Sequence, residues 1–167
     1  MSGGPRAPAH VHVAWAGEHR FDAGRPDGPT IRLDGSGRTG PSMVDAVLGA
    51  LAGCTAVDVV DILAKRRTPL DSLAVDATGE RFEGTPGRLV RIHLRYHVAG
   101  AGVERAHVER AVELAVTKYC SVRDSLDPAI PVTWAVAMAD DAAGEAAGEA
   151  AGAGVAGARV ENGAGAG

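Results

Sequence analysis

The feature of this sequence that most limits its fold is one long apolar segment, residues 43–63. A segment of this length and composition either crosses a membrane or forms a buried helix. Three carboxylates interrupt it, at Asp45, Asp58 and Asp61. Because charges inside a membrane span are costly, we predict the core helix of a globular protein and no membrane partner.

The ends of this helix are marked in the sequence. Ser42 suits the N-cap and Asp45 suits the positive end of the helix, while the basic residues 65–67 and Pro69 suit its end. Over residues 43–57 the helix is apolar nearly all round, and such a helix is normally buried on every side. A small sheet covers only one side, so we predict that a second copy covers the rest in a two-fold homodimer.

Short alternating and β-branched runs predict the other elements. Three strands precede the long helix. Two strands, a second long helix, a short helical turn and a last strand follow it. This order predicts an α+β domain with antiparallel-rich sheets and two long helices. The expected bounds are 10–16, 19–22 and 30–34 for the first strands, 73–82 and 88–98 for the next two, 104–119 for the second helix, 121–126 for the turn and 132–138 for the last strand.

Two of these elements have clearly defined faces. The strand over residues 88–98 alternates between an apolar face and a face of arginines and histidines, and the second helix has an apolar stripe that ends at Tyr119. Pairs of histidines also alternate on strands, but no cysteine or carboxylate completes a metal-ligand spacing, so we expect exposed strand faces. These histidines are His10, His12, His93 and His97.

Length and composition limit the function. The 167 residues correspond to one domain, and the net charge of -4 provides no basic surface for nucleic acid. The first nine residues lack the apolar core of a signal peptide, so we expect a cytoplasmic protein with reduced thiols. Composition changes after Ala139, which predicts a folded domain over residues 1–139 and a disordered Ala/Gly/Glu-rich tail over residues 140–167.

The sequence contains two cysteines, Cys54 within the long helix and Cys120 at the junction of the second helix and the short turn. If they meet, they form a dithiol that can cycle; if they do not, they are small apolar core residues. Apolar neighbours and Asp58 one turn away are expected to raise the pKa of Cys54, so a reactive Cys54 needs a cation from elsewhere, most naturally an arginine. The start of the short turn is expected to favour a thiolate at Cys120.

Two segments resemble the OsmC/Ohr family of osmotically inducible and organic hydroperoxide resistance proteins: Gly-Cys-Thr-Ala-Val-Asp-Val-Val at Cys54, and Lys-Tyr-Cys-Ser-Val at Cys120. The resemblance covers roughly residues 10–138. It implies an OsmC/Ohr-like fold in an intertwined homodimer with active sites at the subunit interface. It also implies reduction of organic hydroperoxides, with Cys54 as the peroxidatic and Cys120 as the resolving cysteine. No metal or other cofactor is implied, and a dithiol reductant, with a lipoyl protein as one candidate, restores the pair.

The same resemblance implies two further site residues. Peroxidases of the family use an arginine from the N-terminal strand region, for which Arg20 is the best match and Arg25 and Arg38 are alternatives. They also use a glutamate near the start of the first long helix, where this chain has Asp45. A straight helix places Asp45 about 180° around the axis from Cys54.

A rival hypothesis is a protein without enzymatic activity that binds a small molecule or senses redox state. In this interpretation the apolar helix face around Cys54 lines a pocket for an acyl or aromatic ligand, and the cysteines only line it. The reactivity of the Cys54 thiol distinguishes the two hypotheses.

Overall fold

The computed structural model describes residues 7–141 and has the predicted α+β architecture. Its elements follow one another in the predicted order, and the bounds differ from the expected ones by a few residues. They are β1 (His12–Trp15), β2 (Arg20–Gly24), β3 (Thr30–Asp34), α1 (Met43–Lys65), β4 (Ser72–Arg81), β5 (Leu89–Ala99), α2 (Arg105–Leu114), a π turn (Ala115–Tyr119), α3 (Ser121–Ser125) and β6 (Val132–Met138).

The strands form two separate three-stranded sheets. The N-terminal sheet has the order β1-β2-β3 and is antiparallel throughout. The second sheet has the order β4-β5-β6, in which β4 and β5 are antiparallel while β5 and β6 are parallel. The parallel pair arises because α2, the π turn and α3 lie between β5 and β6. These helical segments return the chain to the end of the sheet at which β5 begins.

The helix α1 begins and ends as its sequence predicts. The Ser42 hydroxyl accepts a hydrogen bond from the backbone N–H of Asp45, and the Asp45 carboxylate accepts one from the N–H of Ser42, which together form a capping box. The helix ends at Lys65, and Arg67 just beyond it has a positive φ of 63°. By length and composition α1 could cross a membrane. In this fold it packs one side against the second sheet, mainly against β4.

The core lies between the second sheet and the helices α1 and α2. The predicted apolar face of β5 is buried, and the face that carries Arg91, His93, Arg95 and His97 is exposed. The side chains that are fully buried or nearly so come mainly from α1, β5 and α2. Among the largest are Leu51, Val59, Leu63, Ile92, Leu94, Tyr96, Val108 and Val112.

The loop before α1 is closed by a buried carboxylate. Asp34 is 2% exposed and accepts hydrogen bonds from the backbone N–H and the hydroxyl of both Ser36 and Thr39. These four donors hold the pKa of Asp34 well below the ordinary carboxyl value, although burial opposes them. The chain therefore enters α1 from a fixed direction.

Two apolar surfaces lack a cover within one protomer. On the N-terminal sheet Val13 and Trp15 of β1 and Ile31 of β3 are 54%, 71% and 59% exposed. The register places Val13 opposite Ala23, and Ala23 opposite Ile31, so one face of this sheet is apolar from edge to edge. On α1, the side away from the second sheet is also open. Its exposed apolar residues are Met43, Val47, Val57 and Val60.

The predicted tail lies mostly outside the described residues, which end at Asp141. Asp141 belongs to a short helical turn after β6, and its carboxylate pairs with Arg105 at the start of α2 and accepts a hydrogen bond from the N–H of Met138. The tail over residues 140–167 therefore stays a prediction, and its first two residues continue the described fold.

Candidate functional site

The structure brings the two cysteines together. Cys54 lies half-buried on α1, and Cys120 follows the π turn with 4% of its surface exposed. Both thiols are free, and the Cys120 thiol is hydrogen-bonded to the Cys54 sulfur. Of the two alternatives that the sequence allows, the structure shows the one in which the cysteines meet.

The π turn sets the position of Cys120. In this turn the N–H of Cys120 donates to the carbonyl of Ala115 at 3.0 Å, five residues earlier. A π turn contains one residue more than an α turn, so the residues after it are rotated around the helix axis. The prediction that Tyr119 ends the buried stripe of a continuous helix is therefore wrong. Tyr119 is 50% exposed, and Cys120 occupies the buried position.

The short helix α3 supplies hydrogen-bond donors to both sulfurs. Cys120 is its N-cap residue, and the Cys120 sulfur accepts a hydrogen bond from the N–H of Arg123 at 3.3 Å. The Cys54 sulfur accepts hydrogen bonds from the N–H of Val122 and from the hydroxyl of Ser121. With the Cys120 thiol, three donors from one turn of chain converge on Cys54.

These donors decide the acidity of Cys54. Burial raises the pKa of the thiol, and Asp58 one helical turn away raises it further. The hydrogen bonds from Val122, Cys120 and Ser121 stabilise the thiolate and outweigh both, so the pKa of Cys54 lies below that of an ordinary thiol. The expected effect of Asp58 is confirmed. Within one protomer the α3 turn lowers the pKa of Cys54 without a cation, and the need of a reactive Cys54 for a cation stays a prediction.

Cys120 shows the opposite shift. Burial raises the pKa of its thiol, and the hydrogen bond to Cys54 and the charge of the Cys54 thiolate raise it further, to about 11. The N–H groups of Arg123 and Val122 in the short turn do lower the pKa of Cys120, as predicted, but burial and the neighbouring Cys54 outweigh them. Cys54 is the member of the pair that ionises first, and Cys120 stays protonated and donates to it.

A buried pair of hydroxyls lies behind Cys54, and the sequence analysis missed it. The Tyr96 hydroxyl on β5 donates to Thr55 Oγ1 at 2.7 Å, and both side chains are fully buried. Thr55 directly follows Cys54, and its own hydroxyl donates to the carbonyls of Leu51 and Ala52. Burial raises the pKa of Tyr96 to about 12, so the phenol remains a donor. The position of Tyr96 on the apolar face of β5 could have indicated this pair, because a buried phenol hydroxyl needs a hydrogen-bond partner.

Arg20 lies at the start of β2 in the N-terminal sheet, apart from the cysteine pair. Its Nε donates to the carbonyl of Gly17 at 3.4 Å, and its guanidinium pairs with a neighbouring glutamate. Arg25 and Arg38 lie in the loops on either side of β3. Within one protomer the groups that act most strongly on Cys54 come from α3 and α1. A role for Arg20, or for either alternative arginine, stays a prediction that depends on a second copy.

Asp45 also lies apart from the cysteines in one protomer. Its carboxylate is engaged in the capping box at the start of α1, where the hydrogen bonds from Ser42 lower its pKa. Nine residues separate it from Cys54, which puts it about 13 Å along the axis and on the opposite side of the helix. A catalytic role for Asp45 stays a prediction as well.

The histidines of β5 have local partners. His93 Nδ1 and Thr133 Oγ1 are 2.8 Å apart, and His97 Nε2 and Asp76 Oδ2 are 2.8 Å apart. Within residues 7–141 there is no group of three or more histidine, cysteine or acidic side chains that could hold a metal ion. Both histidines thus lie on an exposed sheet face and make cross-strand contacts.

Comparison with known proteins gives a family match and a similar curated sequence. Residues 34–135 match the family model described as OsmC-like protein. Protein YhfA of Escherichia coli strain K12 is 39% identical over 124 residues, which are 74% of this chain and 92% of that protein.

Solved structures of similar fold extend the comparison. A hypothetical protein from Aquifex aeolicus VF5 is 26% identical with a TM-score of 0.67, and the match covers 80% of this chain and 98% of that one. The organic hydroperoxide resistance protein OhrB of Bacillus subtilis is 14% identical with a TM-score of 0.55, over 78% of this chain and 98% of that one. The second likeness concerns the fold alone.

Proposed function

This chain belongs to the OsmC-like protein family, and from that premise we propose that it is a thiol peroxidase that reduces organic hydroperoxides. The observation that carries the proposal is the contact between two free cysteines of unequal acidity. Peroxide reduction needs one solvent-accessible thiol of low pKa and a second thiol within reach of it. Cys54 meets the first requirement and Cys120 meets the second.

The first step consumes the hydroperoxide. The Cys54 thiolate attacks the terminal oxygen of ROOH, an S–O bond forms, the O–O bond breaks and the alkoxide leaves. The alkoxide takes up a proton and becomes an alcohol, and Cys54 becomes a sulfenic acid. The hydrogen bonds from Ser121 and Val122 favour this step because they increase the fraction of thiolate at neutral pH.

The second step closes a disulfide. The Cys120 sulfur attacks the sulfur of the Cys54 sulfenic acid, and the departing hydroxide leaves as water with the proton of the Cys120 thiol. Once Cys54 is a neutral sulfenic acid, its charge no longer opposes ionisation of Cys120, which is one cause of the raised pKa. A dithiol reductant, with a lipoyl protein as a candidate, then returns two electrons and two protons to the pair.

The proposal includes a homodimer in the cytoplasm. The uncovered apolar face of the N-terminal sheet and the open side of α1 are surfaces that a second copy of the chain can bury. In such a dimer we expect the N-terminal strands that carry Arg20 to reach a Cys54 pocket, either of the same subunit or of the partner. Light scattering at micromolar protein concentration tests this part, and a monomer contradicts it.

Steady-state kinetics with cumene hydroperoxide and a dithiol test the activity. Cys54→Ser should abolish turnover. Cys120→Ser should still consume about one equivalent of hydroperoxide in a single burst but should turn over slowly, because the sulfenic acid at Cys54 forms and is not resolved. His93→Gln, on the exposed face of β5, serves as a control with unchanged kinetics. Unchanged turnover in Cys54→Ser would exclude the mechanism.

A binding or sensing role is the second candidate, and a cavity beside Cys120 favours it. A cleft of about 560 Å³ is bounded in part by Cys120, Leu126 and Trp134, and a groove of about 620 Å³ lies between α1 and α2. Both volumes are in the range of small-molecule sites. A Cys54 that titrates like a free thiol and fails to react with stoichiometric hydroperoxide would favour this role over the peroxidase.

A further inference from the structure

A cleft beside the cysteine pair reaches one of the two sulfurs. It is bounded by the π turn, α3 and β6, has a volume of about 560 Å³, and is lined in part by Cys120. Cys54 is not among the described residues that line it. Since Cys120 has only 4% of its surface exposed, the cleft offers a small molecule a way to the Cys120 sulfur.

The lining of this cleft suits a small, partly apolar molecule with negative charge. Leu126 and Trp134 are half-buried and provide apolar surface. The charged residues of the lining are Lys118, Arg123 and Asp124. Two cations against one carboxylate favour the approach of an anion, and a thiolate is one. The volume is in the range of small-molecule sites, so a small dithiol fits, whereas the folded surface of another protein does not enter.

The chemistry of disulfide exchange indicates which sulfur of an oxidised pair a reductant attacks. In such an exchange the thiol of lower pKa is the better leaving group. The hydroxyl of Ser121 and the N–H of Val122 donate to the Cys54 sulfur and stabilise its thiolate. Burial raises the pKa of the Cys120 thiol, so Cys120 leaves less readily. Departure of Cys54, and therefore attack on Cys120, is the favoured direction.

We propose that this cleft admits the reductant, a small dithiol that attacks the Cys120 sulfur of the oxidised pair. An S–S bond forms between one reductant sulfur and Cys120, the bond between Cys54 and Cys120 breaks, and Cys54 leaves as a thiolate. The second reductant thiol loses its proton and attacks the first reductant sulfur. A disulfide then forms within the reductant, and Cys120 leaves. The reductant gives two electrons to the pair, and its two protons go to Cys120 and to Cys54 or the solvent.

This inference rests on the proposed function, because it describes how the cysteine pair is regenerated. It assigns the two substrates to different sulfurs: the hydroperoxide reacts at Cys54 and the reductant at Cys120. The apolar surfaces proposed to pair in the dimer lie on α1 and the N-terminal sheet, and they include no residue that lines the cleft. Formation of that dimer therefore need not close it.

The site of attack is tested on protein oxidised with diamide, so that no hydroperoxide is involved. The oxidised protein is mixed briefly with excess 2-mercaptoethanesulfonate, a monothiol that forms a mixed disulfide, then quenched with acid and alkylated. We expect the first adduct on the tryptic peptide 119–123, which contains Cys120, and the alkyl label on Cys54. A first adduct on Cys54, or a pair that diamide does not oxidise, would overturn the proposal.

A matched pair of variants tests the cleft. Thr117 and Ser125 are both exposed, and each hydroxyl donates to the carbonyl four residues earlier, but of the two only Thr117 lines the cleft. Thr117→Trp should slow reduction of the oxidised protein by 2,3-dimercaptopropanol at least about tenfold, because exchange depends on access to the attacked sulfur. Ser125→Trp should leave this rate unchanged. Equal rates in the two variants would contradict entry through the cleft. The adduct mapping uses the unchanged protein, so it decides even if a variant fails to fold.

A charged and a neutral dithiol of the same carbon skeleton test the preference for an anion. Lys118→Gln should lower the rate of reduction by 2,3-dimercaptopropane-1-sulfonate about two- to threefold, as expected for one exposed charge, and that by 2,3-dimercaptopropanol less. The difference should shrink as ionic strength rises. An equal effect on both dithiols would refute the preference. A Cys54 that does not react with hydroperoxide would refute the peroxidase, while the reduction of diamide-oxidised protein would still decide whether the cleft admits the reductant.

Discussion

The hydrogen-bonded hydroxyls of Tyr96 and Thr55 allow a quantitative test of the fold. Removal of each hydroxyl should lower the free energy of unfolding by a different amount. In Tyr96→Phe the Thr55 hydroxyl remains bonded to the carbonyls of Leu51 and Ala52. The loss is then one buried hydrogen bond, about 1 kcal/mol of unfolding free energy. In Thr55→Val the Tyr96 phenol stays buried without an acceptor, so we expect a larger loss of about 2 kcal/mol.

The double variant gives the coupling between the two groups. Replacing both partners by apolar side chains of similar shape removes the unpaired donor, so the combined loss should fall short of the sum by about 1–2 kcal/mol. Since Tyr96 and Thr55 are 41 residues apart in sequence, a coupling of this size requires their contact in the folded state.

Chemical denaturation of the four proteins at one fixed concentration measures these differences, and thermal melts should follow at roughly 3 °C per kcal/mol. Tyr119→Phe is the control, because its half-exposed phenol should contribute less than about 0.5 kcal/mol. Additive losses in the double variant, or a larger loss for Tyr96→Phe than for Thr55→Val, would refute the assigned hydrogen bond.

Three further predictions follow from the charges and thiols. Asp34→Asn should lower the melting temperature at neutral pH; a depressed carboxyl pKa stabilises above the ordinary value of 3.8 and the effect is lost as pH falls, so the gap to the unchanged protein should narrow in acid. Iodoacetamide should label Cys54 before Cys120 at neutral pH, as followed by mass spectrometry of tryptic peptides; the reverse order would contradict the assigned acidities. Truncation after Asp141 should leave the melting temperature unchanged, whereas truncation after residue 139 should lower it slightly, because it removes the partner of Arg105.

The elements of this fold could be predicted from the sequence because their causes are local. The capping box at Ser42 needs only residues within one turn, and the alternation along β5 needs only the period of a strand. The fold class followed from the order of these elements, and the family model and the structural likenesses agree with it.

The π turn is the point at which local reasoning about the helices failed. The spacing of apolar residues in α2 continues smoothly to Tyr119, and a regular helix would bury that residue. The last helical turn instead contains one additional residue, so Cys120 is buried and Tyr119 is exposed. This rotation brings Cys120 into contact with Cys54. Since Cys54 lies on another helix, no sequence pattern within residues 105–120 could have predicted it.

What the sequence determined by itself is therefore the set of helices and strands, the uncovered apolar face of α1 and the identity of the two thiols. What the tertiary structure decided is which thiol is acidic. The pKa of Cys54 depends on donors from Ser121 and Val122, which are distant in sequence and adjacent in the fold. Because hydrogen bonding and burial act over a few ångströms of space, the acidity of a side chain is known only once its neighbours are.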